Sequence, residues 1–481
     1  MRHPVLTSAH RPTPRIRRLR LPRRASSAAL ATALATALLA GCGGGGDGGG
    51  SGTKGTVTLD YFSLAWQKES VRANKALVAR WNKTHRKVKV RYVQGQWESV
   101  HDQLLTSFEG GEAPDIIHDD ASDLTDFAYG GYLADLRPYL PARTRAQIPE
   151  ASWGSVTMNG GRVHGVPFLQ EPKVIVANKK LLERSGARIP TADHPWTWDE
   201  FEKVSRELTR GKGQGGEDQG GGDQGGGGQD GKSARYGVIW TMKEPVKQSV
   251  NLSLSTGGKI FTRKRTGDGV KNAVRFDARD SAVSRLIHRQ VNEDRTAPKS
   301  GLGMGGSDAL PGFFAGRYAM VPLNFSFRQQ VRQQAPDGFE WTVLPMPRGE
   351  GPGGNTQGVV PQTLSVSQDS PHKQAAADFI AYMTTPGHMA ELAKGDWLLP
   401  TGKKALKDPA LNRRQDGWRA GAAIARTLRP SPTLGVRGYA EWSDKVATPA
   451  FQRYYNGDTG LDTLDDSLVD DGNLILNRYQ R

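Results

Sequence analysis

The chain has 481 residues, 36% hydrophobic and 24% charged, with one cysteine and a formal net charge of +16. A single cysteine excludes an internal disulfide framework, and the length suits two or three domains. The basic residues are scattered, with no stripe of interleaved aromatics, which excludes nucleic acid as an expected partner.

Residues 1–24 hold eight arginines (Arg2, Arg11, Arg15, Arg17, Arg18, Arg20, Arg23, Arg24) and no acid. An Ala- and Leu-rich run follows from Ala25 to Ala40, shorter than the about 20 residues of a membrane span. Basic segment, short apolar segment and small residues together describe a secretory signal peptide over residues 1–41. Its end, Leu39-Ala40-Gly41-Cys42, resembles the bacterial lipobox. That resemblance implies cleavage before Cys42 and lipidation of its thiol by diacylglycerol, with palmitate as the further acyl chain. Arg23-Arg24 suggests twin-arginine export, but Pro22 and Ala25-Ser26 fit that motif poorly, so general and twin-arginine routes both stay open.

Residues 42–55 then form a Gly-rich stretch of the flexible-tether class. The expected location is extracytoplasmic, lipid-anchored to the cell membrane through Cys42, because two acyl chains hold a protein to a bilayer far better than one. Without the eight leader arginines, 57 basic residues face 49 acidic ones, a mildly basic body.

In the body, residues 56–62 alternate as a strand, and Glu69 to Asn82 carries Val71, Leu77, Val78 and Trp81 on one helical face. Residues 88–93 form a second alternating strand, Val100 to Glu109 a helix with Leu104, Leu105 and Phe108 on one face, and Pro114 to His118 a short buried strand. This βαβαβ rhythm implies a parallel sheet covered by helices, with ligands at the carboxyl ends of its strands. Trp66 and the Asp119-Asp120 loop then share a rim. No GxGxxG or GxxxxGK[ST] opens these helices, so no nucleotide and no cofactor is expected. Further on, Trp198 to Leu208 reads as a helix and Tyr236 to Trp240 as a strand. Between them, residues 211–232 are almost entirely Gly, Gln, Asp and Lys, an insertion expected to be disordered.

Several blocks carry a family resemblance. Ala113-Pro114-Asp115-Ile116-Ile117-His118-Asp119-Asp120, followed by Phe127 and Gly131 to Leu136, resembles the first-lobe signature of extracellular solute-binding proteins of sugar ABC importers. Gly165-Val166-Pro167-Phe168, Val174 to Leu182 and Thr197-Trp198-Asp199-Glu200-Phe201 resemble that family's crossing strand and following helix. Phe314 to Met320 resembles the block before a second crossing. Pro345-Met346-Pro347, Gly358, Ala375 to Pro386 and Leu399-Pro400-Thr401 resemble the third. The blocks occur in the family's order across nearly the whole mature chain.

The resemblance implies an α/β fold, a two-lobed periplasmic-binding-protein-like clamp of type II. Each lobe is a mostly parallel sheet flanked by helices, and the lobes are joined by crossing strands. Residues 56–169 with 324–361 are expected in the N-terminal lobe, and 170–323 with 362–481 in the C-terminal lobe, with crossings near Gln170, Leu323 and Pro361. It also implies a monomer that captures a carbohydrate ligand in the cleft and hands it to the membrane subunits of an ABC importer.

A sugar asks for planar carboxylates and amides and for aromatic faces. Asp120 matches the acid that follows the first-lobe signature, against the alternative of a solvated loop or helix N-cap. Glu171 matches a carboxylate on the crossing strand, against a hinge salt bridge to Lys173. Trp66, Trp240 and Trp397 sit in turn-like surroundings suited to stacking platforms, with core as the alternative, whereas Trp81, Trp198 and Trp442 lie on helical patterns and are assigned to the core. Asn324 and Phe325 follow the second crossing, where the family often has Gly and Trp, and Pro322 marks an edge or kinked strand.

Rival readings are a non-sugar solute on the same fold, such as a glycerol-phosphate ester or a polyamine, and a secreted glycosidase. The glycosidase needs two facing carboxylates, but Asp119 and Asp120 are adjacent and diverge on an extended strand. No GxSxG or HExxH is present, so an enzyme is not expected. The ten histidines are dispersed, so no metal site is expected either.

Overall fold

Period-two and period-3.6 patterns over the first 65 residues of the body become alternating strands and helices in the computed structural model, which describes residues 55–158, 160–209, 235–266, 269–351 and 354–480. The leader, Cys42, nearly all of the tether and the 211–232 insertion lie outside the described residues. None of the described helices is long and apolar enough to cross a membrane.

Strand β1 (Val57–Ser63), helix α1 (Lys68–Thr84), β2 (Val88–Gln94), α2 (Val100–Glu109) and β3 (Ile116–Asp120) realise the βαβαβ reading, with β1 parallel to both β2 and β3. Helix α1 buries Ser70, Asn74, Leu77, Val78 and Trp81, a single face at i, i+4, i+7, i+8 and i+11. After β4 (Val166–Gln170) the chain leaves this sheet and enters a second one as β5 (Lys173–Asn178). Helix α3 (Trp198–Leu208) begins in a capping box, Thr197 receiving the Glu200 N–H and Glu200 receiving the Thr197 N–H. Strand β6 (Tyr236–Val238), α4 (Pro245–Ser253), α5 (Ala278–Asn292), β7 (Tyr318–Asn324), α6 (Arg328–Gln334) and β8 (Trp341–Pro345) complete the second lobe's sheet, in the order β8-β5-β7-β6.

The chain then crosses back through β9 (Gln357–Val359) to β10 (Gln362–Val366), which lies between β3 and β4 and antiparallel to both. Helices α7 (Lys373–Met383) and α8 (Pro386–Gly395) and strand β11 (Leu399–Pro400) finish the first sheet, in the order β11-β4-β10-β3-β1-β2. Helix α9 (Trp418–Ile424) precedes β12 (Leu428–Pro430), which pairs with β9, and α10 (Thr448–Asn456) and later helices pack into the second core.

Strand pairing reverses part of the expected allocation. Residues 341–345 lie in the second sheet, not the N-terminal lobe, and residues 362–366 and 399–400 lie in the first sheet, not the C-terminal lobe. No crossing occurs near Leu323: β7 ends at Asn324, and α6 returns the chain to the edge of the same sheet as β8. The passages fall at Gln170–Lys173, at Val359–Gln362 and along β12. Pro322 lies inside β7, but the ladder to β6 ends at Met320, so no N–H is asked of the proline on that side.

Alternation places the two faces of the second sheet in different cores. Val174 and Val176 pack with the cluster that fills the first lobe, and Ile175 and Ala177 pack with Phe201, Trp240 and Trp442. Trp81, Trp198 and Trp442 are core, as their helical spacing indicated.

Candidate functional site

The carboxyl ends of β1, β3, β4, β6 and β7 converge on a cleft of about 750 Å³ between the two sheets, inside the range of roughly 300–1,000 Å³ for small-molecule sites. Trp66, Trp97 and Asp120 reach it from the first lobe, Lys247, Asn324 and Phe327 from the second, and Glu171 and Gln357 from the crossings. A cavity of about 1,090 Å³ lies beside β8 and α9, lined by Phe339, Trp341, Arg419 and Ile424 among others. The size order is not decisive, because the carboxyl ends of five strands drawn from both sheets converge on the smaller cleft.

Asp120 ends β3 and accepts from the Ser122 N–H at 2.8 Å and from the Ser122 hydroxyl. Lys247, in the first turn of α4, reaches across from the second lobe to 3.2 Å from its Oδ2. Burial alone would raise the Asp120 carboxyl; Lys247 and Ser122 outweigh it and hold it below the usual carboxylate range. Asp119 differs: burial, then repulsion from Asp123 and Asp120, pushes its carboxyl well up, and its buried Oδ2 has no hydrogen-bond partner among the described residues. Carboxylate oxygens of Asp119, Asp120 and Asp123 lie within 4.8 Å of one another. The divergence expected of an extended strand is lost because β3 stops at Asp120 and Asp119 Oδ1 turns back to accept from the Asp120 N–H at 2.7 Å.

At the crossing, Glu171 Oε1 accepts from the Ser326 N–H at 2.9 Å, and burial raises its carboxyl above the usual range despite that bond. It makes no salt bridge to Lys173. The Gln357 amide instead clasps the Lys173 backbone, accepting its N–H at 2.8 Å and donating to its carbonyl at 3.1 Å. Burial draws the Lys173 ammonium down to about 8, with Glu171 and Glu244 opposing the shift. Beside Glu171, burial pushes Asp396 up to about 7, with Glu171 adding to the rise and a hydrogen bond from Ser70 opposing it.

His118 fixes another cleft amide. Its Nδ1 accepts from the Leu64 N–H at 3.2 Å, which leaves Nε2–H to donate to Gln362 Oε1 at 3.0 Å. Burial holds this imidazole at about 4, so it stays neutral near pH 7. Trp97 stands edge-on to the His118 ring at 5.9 Å.

Of the seven residues expected to hold ligand, Trp66, Asp120, Glu171 and Asn324 line the cleft. The other three do not. Trp240 is 1% exposed, donates from Nε1 to Gln290 at 2.7 Å and packs edge-on to Phe201. Phe325 is fully buried under the Arg328 guanidinium, 3.2 Å from its ring centroid. Trp397 has a left-handed φ of 56°, and its ring lies 5.6 Å from that of Trp418, while its neighbours Asp396 and Leu398 line the cleft.

Sequence reading missed Lys247, Asp396, Gln357 and Gln362. Pro245 at the start of a helix after a rim strand was a usable sign for Lys247, since Pro favours the first helical turn. Gln357 and Gln362 carried no local sign; pairing across more than 180 residues brings them in.

The sequence profile described as bacterial extracellular solute-binding protein matches residues 65–390. A protein described as an uncharacterized lipoprotein in the oleD 5′ region of Streptomyces antibioticus is 56% identical over 408 residues, 85% of this chain and 84% of that one. The multiple sugar-binding protein of Streptococcus mutans is 23% identical over 337 residues, 68% of this chain and 71% of its own. Among solved structures, the sugar-binding protein MalE of Xanthomonas citri superposes with a TM-score of 0.71 at 20% identity, covering 88% of this chain and 98% of that one. The GacH receptor of Streptomyces glaucescens, solved unliganded and with acarbose, gives 0.68 at 19% identity, covering 88% and 99%. These likenesses are to type II two-lobed binding proteins and fix the fold class.

Proposed function

Because this chain belongs to the bacterial extracellular solute-binding protein family, we propose that it captures a carbohydrate in the cleft and delivers it to an ABC importer. Its mode is binding without turnover. The lobes open and close about the crossings, ligand favours the closed form, and the importer reads that form. Lipid on Cys42 holds the protein, as a monomer, at the outer face of the cell membrane.

The observation that carries the reading is the mixture in one cleft of rings and planar polar groups drawn from both lobes. Trp66, Trp97 and Phe327 offer faces for sugar C–H surfaces, and Asp120, Glu171, Asn324, Gln357 and Gln362 offer acceptors and amides for hydroxyls. The sugar names borne by the Streptococcus mutans and Xanthomonas citri proteins support the same reading.

A thermal-shift screen of residues 56–481 against mono- and oligosaccharides tests it, since a ligand of the native state raises the melting temperature by mass action. At least one carbohydrate should give a saturable rise. A shift with glycerol phosphate or spermidine and with no carbohydrate overturns the reading. Cys42→Ala in the full chain should release the protein into the medium without loss of ligand affinity.

A further inference from the structure

His118 and Asp120 stand two residues apart on β3, so their side chains leave the sheet on one face. Gln362 on β10 is the cross-strand partner of Asp120, shares that face and has His118 as its diagonal neighbour. Asp120 and Gln362 line the cleft, whereas His118 is buried behind them.

Only one arrangement of protons on the His118 ring suits its neighbours. The Leu64 backbone N–H, 3.2 Å from Nδ1, can only donate, so Nδ1 carries the lone pair and Nε2 the hydrogen. Nε2 lies 3.0 Å from Gln362 Oε1, the acceptor end of that amide. Phe168 and Trp97 stand edge-on to the ring at 5.0 and 5.9 Å, and this packing resists a ring flip. Turned over, the Gln362 amide would set its own N–H against that of His118, two donors facing each other. A free glutamine offers a ligand either end; this one offers only its NH2, which donates to nothing among the described residues. Beside it the Asp120 carboxylate, paired with Lys247, accepts only.

Resting on the carbohydrate reading, we infer that His118 is a positioning residue, which pins Gln362 as a donor beside the Asp120 acceptor, and that the ligand meets Gln362 with an oxygen that accepts. A hydroxyl, ring or glycosidic oxygen satisfies that position. An ammonium or a bare methylene does not.

Calorimetry of the detergent-solubilised protein at pH 7.5 with maltose, trehalose, cellobiose, lactose and raffinose supplies the probe, the tightest binder being carried through the variants. His118→Leu removes the donor, and Gln362→Glu keeps an acceptor for His118 but puts an oxygen where the NH2 stood. Each should lower affinity about tenfold or more. His118→Gln gives up the Leu64 bond as His118→Leu does but restores an N–H toward Gln362, so its affinity should stay within about threefold of the parent. Nitrogen NMR of the unliganded, histidine-labelled protein should show His118 protonated at Nε2. Affinity unchanged in both His118→Leu and Gln362→Glu, or lost as fully in His118→Gln as in His118→Leu, overturns the inference and leaves the carbohydrate reading standing. A proton on Nδ1 instead of Nε2 does the same. Binding of no carbohydrate overturns both.

Discussion

Asn324 and Phe325 are consecutive, as are Asp396 and Trp397, yet each pair is divided between two regions of opposite character. Asn324 and Asp396 face the cleft. Phe325 and Trp397 turn behind it onto Arg328, whose guanidinium also lies 4.4 Å from the ring centroid of Trp418. Both regions hold aromatic rings and charge. In the cleft the charge is acidic and partly unmatched, whereas behind it a single fully buried arginine donates to the carbonyls of Phe325 and Trp397 at 2.7 and 3.0 Å and to that of Asp416. The rings of the rear cluster are turned onto that arginine and do not line the cleft. Aromatic content near a crossing strand therefore does not identify a platform; the side chain that covers the ring decides.

The strongest way to break this contrast is to empty the rear cluster. Arg328→Met leaves one buried and two part-buried carbonyls without their donor, each worth about 1–3 kcal/mol, so a loss of about 3–5 kcal/mol is expected in chemical denaturation. Trp240→Ala should cost a similar amount, about 3–5 kcal/mol, because that ring fills the second core. Preserved stability in either variant would mean that these side chains are not the packed elements described here.

The separation explains what was legible in sequence. Helices at Val100–Glu109 and Trp198–Leu208 were readable to the residue, because their apolar period is local. Trp66 and Asp120 were placed on one rim because parallel βαβ units put their carboxyl ends together. The return of residues 341–345 to the second sheet was not readable, since an edge strand and a strand of the other lobe have the same alternation. Nor were the orientations of Phe325 and Trp397, which depend on an arginine three residues after one and 69 residues before the other.

The next effect sharpens the acidic side of the contrast. Asp396 titrates near 7 when folded, above its ordinary 3.8, so the folded state holds the proton more tightly than the unfolded one. Its favourable contribution is full below pH 3.8 and is lost as pH rises through 7. Asp396→Asn removes that slope, and its stability relative to the parent should grow between pH 5 and pH 8 by on the order of 3 kcal/mol. His118 acts in the other direction: held near 4, it withdraws stability as pH falls from 6.5 toward 4. Denaturation of parent and variant at the same two pH values isolates the Asp396 part.

A smaller effect is expected at the mouth. The Asp120–Lys247 pair joins the lobes, but its lysine side chain is about half exposed, and such pairs contribute below about 1 kcal/mol. Lys247→Met should leave the denaturation midpoint nearly unchanged while the Asp120 carboxyl rises, because burial then opposes ionisation with only Ser122 to counter it. Carbon-detected titration of the aspartate carboxyls reads that rise directly, and an unmoved Asp120 would deny Lys247 its role.

The smallest change in stability belongs to Trp66, and it bears most directly on the comparison. This ring is 53% exposed and lies at the mouth of the cleft, so Trp66→Ala should shift unfolding by no more than about 0.5 kcal/mol. A stacking face contributes about 0.5–1.5 kcal/mol beyond its buried area, so carbohydrate affinity should fall about tenfold. Trp240→Ala should give the reverse pattern, lost stability with the ligand affinity of the remaining folded protein unchanged. Two tryptophans that look alike in sequence are thus separated by two measurements. If Trp66→Ala loses stability and keeps affinity, the exposed ring is covered by another part of the chain in solution, and the wall of the cleft at that point must be supplied by Trp97 instead.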